Sequence, residues 1–346
     1  MGKDRLFLGY ETAYWIWRKA GPLAFSVLAQ SRVRSLAGGA PSVEKIRAFR
    51  SSHPDLTLEK IDVIVNRNDR RNLAGVSNHA TVKSLPDRSF YQLMGEDIYV
   101  ASPELCLLQL ATKFSEPQVV KLAMEMCGTY AVEMLASFDS ALFDLSDEDD
   151  DGGMRKRPPL TSASKLSAYA KRLYAAESRA RSVHFLRYVS DGSASPRETA
   201  LHMLLCMPPR FGGYGLALPE LNRRIDLSLS ERLMVGAHHF DCDLYWRGKQ
   251  VAVEYDSKRY HTLSEKQERD AIRRNMLQYK GVQVIVATGE QVNKEGEFDK
   301  LARQIGRAIN KRFRVPEKEH IAARRTLRKV LFDWDVLPVP AEDSLG

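Results

Sequence analysis

The sequence predicts a mixed α/β protein built in two parts, and three observations carry that prediction. From residue 165 onward, apolar residues recur at helical spacing and then in short alternating runs. Their order is α-β-β-β-α-β-α, the pattern of a mixed sheet with helices on its faces. In the first half, the strand-like runs "LEKIDVIVN" and "EDIYVAS" stand beside the helical "SPELCLLQLATKF", which predicts a separate α+β domain. Between the halves, Asp144 to Ser164 passes from an acidic block through Gly-Gly to a basic block and Pro-Pro. It has almost no apolar content, the composition of a disordered linker. At 346 residues the chain exceeds one ordinary core. The predicted parts are 1–143, a regulatory or recognition domain; 144–164, the linker; and 165–346, a domain that ends in basic helices.

Each element has a local reason. In the first half Ser102 caps a helix, Pro103 takes its first position and Glu104 complements its dipole. The opening aromatics Tyr10, Tyr14, Trp15 and Trp17 read as core. After the linker, "KLSAYAKRLYAAESRARSVHFLRYV" predicts one long helix, with Leu166, Tyr169, Leu173, Val183 and Leu186 on one face. "SPRETALHMLLCMPP" predicts the next, where Ser195 and Glu198 form a capping box with Pro196 at the first position. "GGYG", Gly212 to Gly215, reads as a turn. "NRRIDLSLS" predicts a strand, and "HHFDCDLYW" and "KQVAVEYDS" pair across a two-residue loop, Arg247-Gly248. A helix from about Ser264 to Tyr279, the strand "VQVIVAT" and two basic helices, "FDKLARQIGRAINKRF" and "EKEHIAARRTLRKVLF", complete the order.

Composition narrows the function classes. No run of about 18 apolar residues exists, so no membrane span or membrane partner is predicted. The first 21 residues lack the apolar core of a signal peptide, and Leu6 stands where a myristoylation signal carries Ser or Thr. Cys106, Cys127, Cys206 and Cys242 lie among apolar residues with no C-x-x-C spacing, which predicts buried free thiols and a cytoplasmic location. From Arg155 to the end, 35 Lys and Arg stand against 23 Asp and Glu, a balance of +12; the first 154 residues balance at −4. The basic half is a candidate for contact with a polyanion, the plain alternative being a solvated basic face.

"FDCDLYWRGKQVAVEYDSKRYH", Phe240 to His261, concentrates the chemistry. One face of the predicted hairpin carries Asp241, Asp243, Glu254 and Asp256. With Arg247-Gly248 as the loop, Asp243 lies opposite Ala252 and diagonal to Glu254. Carboxylates this close need a positive partner. Asp243 and Glu254, with a backbone carbonyl and waters, suit a hard divalent ion, Mg2+ or Mn2+, which polarises a phosphate oxygen and activates a water. An acidic solvated hairpin face is the common alternative, and a D-x(10)-E pair alone is a weak signal.

The stretch from Ser195 to Thr288 resembles the PD-(D/E)XK nuclease superfamily, in the branch similar to very-short-patch-repair endonucleases with its D…E-x-D-G…H…D-x-x-R…L…G pattern. Asp243 falls on the strand aspartate, Glu254 and Asp256 on the E-x-D, and His261 on the histidine. Asp270, Arg273, Leu277 and Gly281 fall on the helix that follows and its end, and Glu198 on an acidic residue of the preceding helix. The resemblance implies a restriction-endonuclease-like mixed sheet flanked by helices. It also implies a magnesium-dependent endonuclease, with Asp243 and Glu254 on the metal, Asp256 assisting and His261 as general acid or base. Two positions depart from the pattern: Asp256 stands where many members carry the catalytic Lys, and Ser257 where the branch carries Gly. Lys249 and Lys258 are candidates for a displaced ammonium, Asp241 for a neighbouring carboxylate, and Arg259, Arg273 and Arg274 for phosphate contact. Each has a plainer alternative. Glu198 is explained by capping, His261 by a surface position, and Asp270 with Arg273 by an i, i+3 pair.

In the first half, "IDVIVNRNDRR", "HATVKSLP" and "IYVASPELCLLQLA" resemble the C-terminal region of abortive-infection type IV antitoxins, without the winged helix such regulators carry. That resemblance implies a partner protein for the N-terminal domain. The leading functional expectation is a metal-dependent DNA endonuclease of repair or phage defence. The alternative is a non-catalytic nucleic-acid-binding regulator of a toxin–antitoxin-like system.

Overall fold

A computed structural model of the chain describes residues 5–33, 35–54, 56, 58–81, 85–93, 95–132, 154–174, 180–256, 264–312 and 318–332. The protein is mixed α/β, with helices packed on mixed sheets. The first half contains β1 (Leu6–Leu8), α1 (Tyr10–Ala20), α2 (Ala24–Val27), β2 (Leu28–Ser31), α3 (Val43–Ser52), β3 (Ile61–Asn66), β4 (Val76–Thr81), β5 (Phe90–Leu93), β6 (Ile98–Ala101), α4 (Pro103–Leu110), α5 (Glu116–Cys127) and β7 (Tyr130–Val132). Six strands form one sheet in the order β2-β5-β6-β1-β3-β4. The nearly continuous apolar runs of β1 and β3 suit its interior, where both faces are covered. The cap at Ser102 forms as expected, its hydroxyl accepting from Leu105 N–H. Tyr14, Trp15 and Trp17 are core, whereas Tyr10 is only partly buried.

The rest of the chain supplies β8 (Met154–Lys156), α6 (Ala163–Leu173), α7 (Pro196–Cys206), β9 (Glu220–Asp226), α8 (Leu229–Val235), β10 (His239–Trp246), β11 (Val251–Asp256), α9 (Ser264–Tyr279), β12 (Gln283–Thr288), α10 (Gly289–Asn293), α11 (Glu295–Ala308) and α12 (Lys318–Phe332). β9 to β12 form a four-stranded sheet in the order β12-β11-β10-β9, parallel between β11 and β12 and antiparallel elsewhere. One contiguous apolar core runs from Leu6 to Leu331 and takes residues from both halves, so the halves are not separated by a cleft in the core. All four cysteines are buried and free. Among the described residues no helix is long and apolar enough to cross a membrane.

Three expectations change. The predicted linker ends early: residues 144–153 lie outside the described residues, but β8 pairs with β7 and the chain after it is folded. Arg157 Nη2 donates to the Glu125 carbonyl at 2.6 Å, and Leu160 and Thr161 are buried. Composition suggested disorder because the few apolar and basic groups there find partners only in the first half. The long predicted helix is two pieces, α6 and a 3-10 segment Ala180–Tyr188; α6 packs on α4, and Tyr169 Oη lies 2.6 Å from Ser89 Oγ. Finally, "NRRIDLSLS" is strand only to Asp226. Ser228 and Glu231 form a capping box that starts α8, and Gly236 at φ 68° ends it.

The Gly212–Gly215 turn brings α12 against α7. A Cβ on Gly212, at φ 94°, would meet the Ala323 carbonyl oxygen at 2.4 Å, and one on Gly213 would meet the Met207 carbonyl oxygen at 2.0 Å. Glycine is thus required for the close approach of the backbones. α12 then buries Leu327 and Leu331, and Lys121 of α5 donates to the Val330 carbonyl at 2.8 Å.

A buried ion pair ties α1 to α5 and β7. Arg18 Nε lies 2.9 Å from Glu125 Oε1, with side chains 7% and 3% exposed. Tyr14 Oη donates to Glu125 Oε2 at 2.8 Å, and Val132 N–H to Oε1 at 3.1 Å. Removing one partner strands the other charge in the core, which costs about 3–5 kcal/mol. Glu125→Ala is expected to lose that much in urea unfolding; a loss below about 1 kcal/mol would rank the network with exposed pairs.

Candidate functional site

The site forms where β10 and β11 part. They pair as Leu244 with Val253, Tyr245 with Ala252 and Trp246 with Val251. The connection is therefore Arg247–Gln250, four residues rather than two, and Gln250 takes φ 54° to close it. Asp243 is the first residue past this ladder, and its Oδ2 accepts from Tyr255 N–H at 2.7 Å. The carboxylate satisfies a backbone donor at the end of the pairing. Strand alternation breaks here. Leu244 and Trp246 join the main core, while Cys242 and Tyr245 share a small cluster with Ala252, Leu277 and Val282. On the other side of β10, the register sets Asn222 opposite Asp243, and Asn222 adopts φ 46°.

Asn222 links the strands to α7. Its Nδ2 donates to Glu198 Oε2 at 2.5 Å and to the Gly192 carbonyl at 2.9 Å. The Ser195 hydroxyl accepts from Glu198 N–H at 3.1 Å, the expected cap. The reciprocal bond goes one residue earlier than a capping box requires: Glu198 Oε2 accepts from Ala194 N–H at 2.9 Å. Glu198 is consequently buried at the first turn of α7, within the field of Asp243.

Asp243 thus acts on two carboxylates that come from two other elements. Burial, then the charge of Asp243, pushes Glu198 up to about 7. Burial and Asp243 likewise push Glu254 up to about 7, against the opposing pull of Arg273 and Cys242. Burial raises Asp243 itself, although Tyr255 N–H and Arg273 oppose the shift. The resident cation is Arg273 on α9. Its Nη2 lies 3.0 and 2.9 Å from the two Glu254 oxygens and donates to the Asp241 carbonyl. It is engaged with Glu254 rather than with Asp270.

The other sequence candidates stand apart from this group. Asp241 pairs with Arg224 at 3.3 Å and His239 at 3.5 Å on the surface. Asp256 ends β11, paired with Thr288 of β12. Lys249 is exposed in the hairpin connection, at the opposite end of β11 from Asp256. Arg274 is exposed and bonds the Asp270 carbonyl at 3.2 Å. His261, Lys258 and Arg259 lie outside the described residues. Among the described residues, no three His, Cys, Asp or Glu side chains are grouped to hold one metal ion. The hairpin pair remains as hard oxygen donors, and Asp243 Oδ1 accepts no hydrogen bond from a described residue. Asn222 and Cys242 escaped sequence reasoning. The one sign was that Asn tolerates positive φ in a strand otherwise free of breakers.

Known families, curated proteins and solved structures yield no match to the chain.

The raised carboxyls set a pH dependence. Between pH 4.5 and 7 the folded Glu254 holds a proton that the unfolded chain has lost, so its contribution to stability falls as pH rises. Glu254→Gln removes that slope. Its stability relative to the native chain is expected to improve by about 1–3 kcal/mol from pH 5 to pH 8 in urea unfolding. A constant difference across that range would show that Glu254 titrates normally.

Proposed function

We propose that the chain is a metal-dependent endonuclease that hydrolyses phosphodiester bonds in DNA, built on a restriction-endonuclease-like sheet. One observation carries the reading: at the end of the β10–β11 ladder Asp243 keeps an oxygen that accepts no hydrogen bond from a described residue, beside Glu198 and Glu254 whose charge it disfavours, an arrangement that suits a bound cation. The order of β9 to β12 and the resemblance of Ser195 to Thr288 support it. In this reading Asp243 and Glu254 hold Mg2+ or Mn2+, which supplies Lewis-acid stabilisation and an activated water. Glu198, held by Asn222 and Ala194 N–H, lies within the field of Asp243. Arg273 would meet the phosphate, Asp256 would assist at the end of β11, and His261 would move the proton. The N-terminal half serves regulation or recognition and offers a surface to a partner protein.

A second reading has its own support. Arg273 already neutralises Glu254, and Asp256 stands in the place of a lysine. Such a site suits a nucleic-acid-binding regulator of a toxin–antitoxin-like system that uses the fold without catalysis.

Nicking of supercoiled plasmid with Mg2+ or Mn2+, against a chelator control, separates the two. Cleavage is expected to need the ion and to fall at least about a hundredfold in Asp243→Asn. Cleavage that survives in that variant, or none in the native chain with either ion, rejects the nuclease reading.

A further inference from the structure

α11 buries Phe298, Leu301, Ala302 and Ile305 on one side. Its other side carries Lys300, Arg303, Gln304 and Arg307, spaced i, i+3, i+4 and i+7 on one helical face. With Gln283 at the start of β12 and Ala308, these residues line a groove of about 430 Å3. Its lining holds three cations and two amides and no carboxylate.

The cations are arranged rather than merely solvated. Arg303 uses Nε for Asp299 Oδ2 at 2.6 Å. Asp299 is itself held by Tyr214 Oη at 2.9 Å and Arg324 Nη1 at 3.2 Å. Both Arg303 Nη groups, the Arg307 guanidinium and the side-chain amides of Gln283 and Gln304 bond no described residue. Among the described residues Lys300 makes only an exposed pair with Glu297, at 2.7 Å, which exchanges easily. A fixed guanidinium fork beside free amide donors matches the geometry of phosphate oxygens. Gln283 lies three residues before Val286, the β12 partner of Glu254, about 10 Å along the strand and on the opposite face of the sheet.

We infer that this groove binds the phosphodiester backbone of nucleic acid, at a place on the sheet distinct from the carboxylate site. The inference deepens the nuclease reading and rests on it for the identity of the ligand. An acidic protein segment and free phosphate share part of the chemistry, but neither presents the repeated phosphates that a row of cations along two helical turns can follow.

The test uses the full chain and duplex DNA, with fluorescence anisotropy over a range of salt concentrations. The variants are Arg303→Gln with Arg307→Gln, and separately Lys300→Gln with Arg307→Gln, which leaves the Arg303–Asp299 pair intact should the first variant fold poorly. Each pair is expected to weaken binding at least about tenfold and to make the log–log salt slope shallower by about 2, since each phosphate contact contributes about 0.9. Unchanged affinity and slope in the second variant overturn the inference. It is also overturned if a polyglutamate peptide binds the groove and duplex does not. The same holds if inorganic phosphate alone binds as tightly as duplex and loses as much in the variants. Asp243→Asn separates the two ideas. If it still cleaves, the nuclease reading fails while the groove stands on its binding; if it loses cleavage but the groove variants bind normally, only the groove fails.

Discussion

Asp243 stands where the β10–β11 ladder ends, and the second half of the chain is organised around what that position demands. The parting of the strands leaves Tyr255 N–H without a ladder acceptor, and the Asp243 carboxylate fills the gap. An asparagine oxygen could accept the same bond without a charge. The charge itself is therefore surplus to folding. It is harmful as well, because it raises both Glu198 and Glu254.

The surroundings hold this unfavourable group in place. Asn222 accepts a positive φ to reach Glu198, and Arg273 reaches across from α9 to Glu254. Behind them, α7 packs on α5 and α12, which belong to the same core as the first half. That common core makes the site's scaffold continuous with the N-terminal sheet.

Much of this was legible in the chain. The caps at Ser102 and Ser195, the span of α9 and the strands around Asp243 and Glu254 follow from local rules of capping and alternation, which act within a few residues. The pairing of Asp243 and Glu254 was read from spacing, although the connecting turn proved two residues longer than assumed. A slip of two residues preserves the face of a strand, so Asp243 and Glu254 still meet across β10 and β11 despite the error in register.

The remaining features depended on groups far apart in sequence. The predicted linker looked disordered because Arg157, Leu160 and Thr161 meet their partners only around α4 and α5. Composition cannot register such contacts. Arg273 was read as a phosphate contact, and only the fold shows that Glu254, nineteen residues away, accepts two of its hydrogen bonds. The sequence by itself determined the elements, their caps and the acidic character of the hairpin, since these depend on neighbours along the chain. Tertiary structure alone decided which carboxylates share one field, which cation meets them and that both halves build on one core. Each of those depends on distance and burial, which the fold creates between residues the sequence keeps apart.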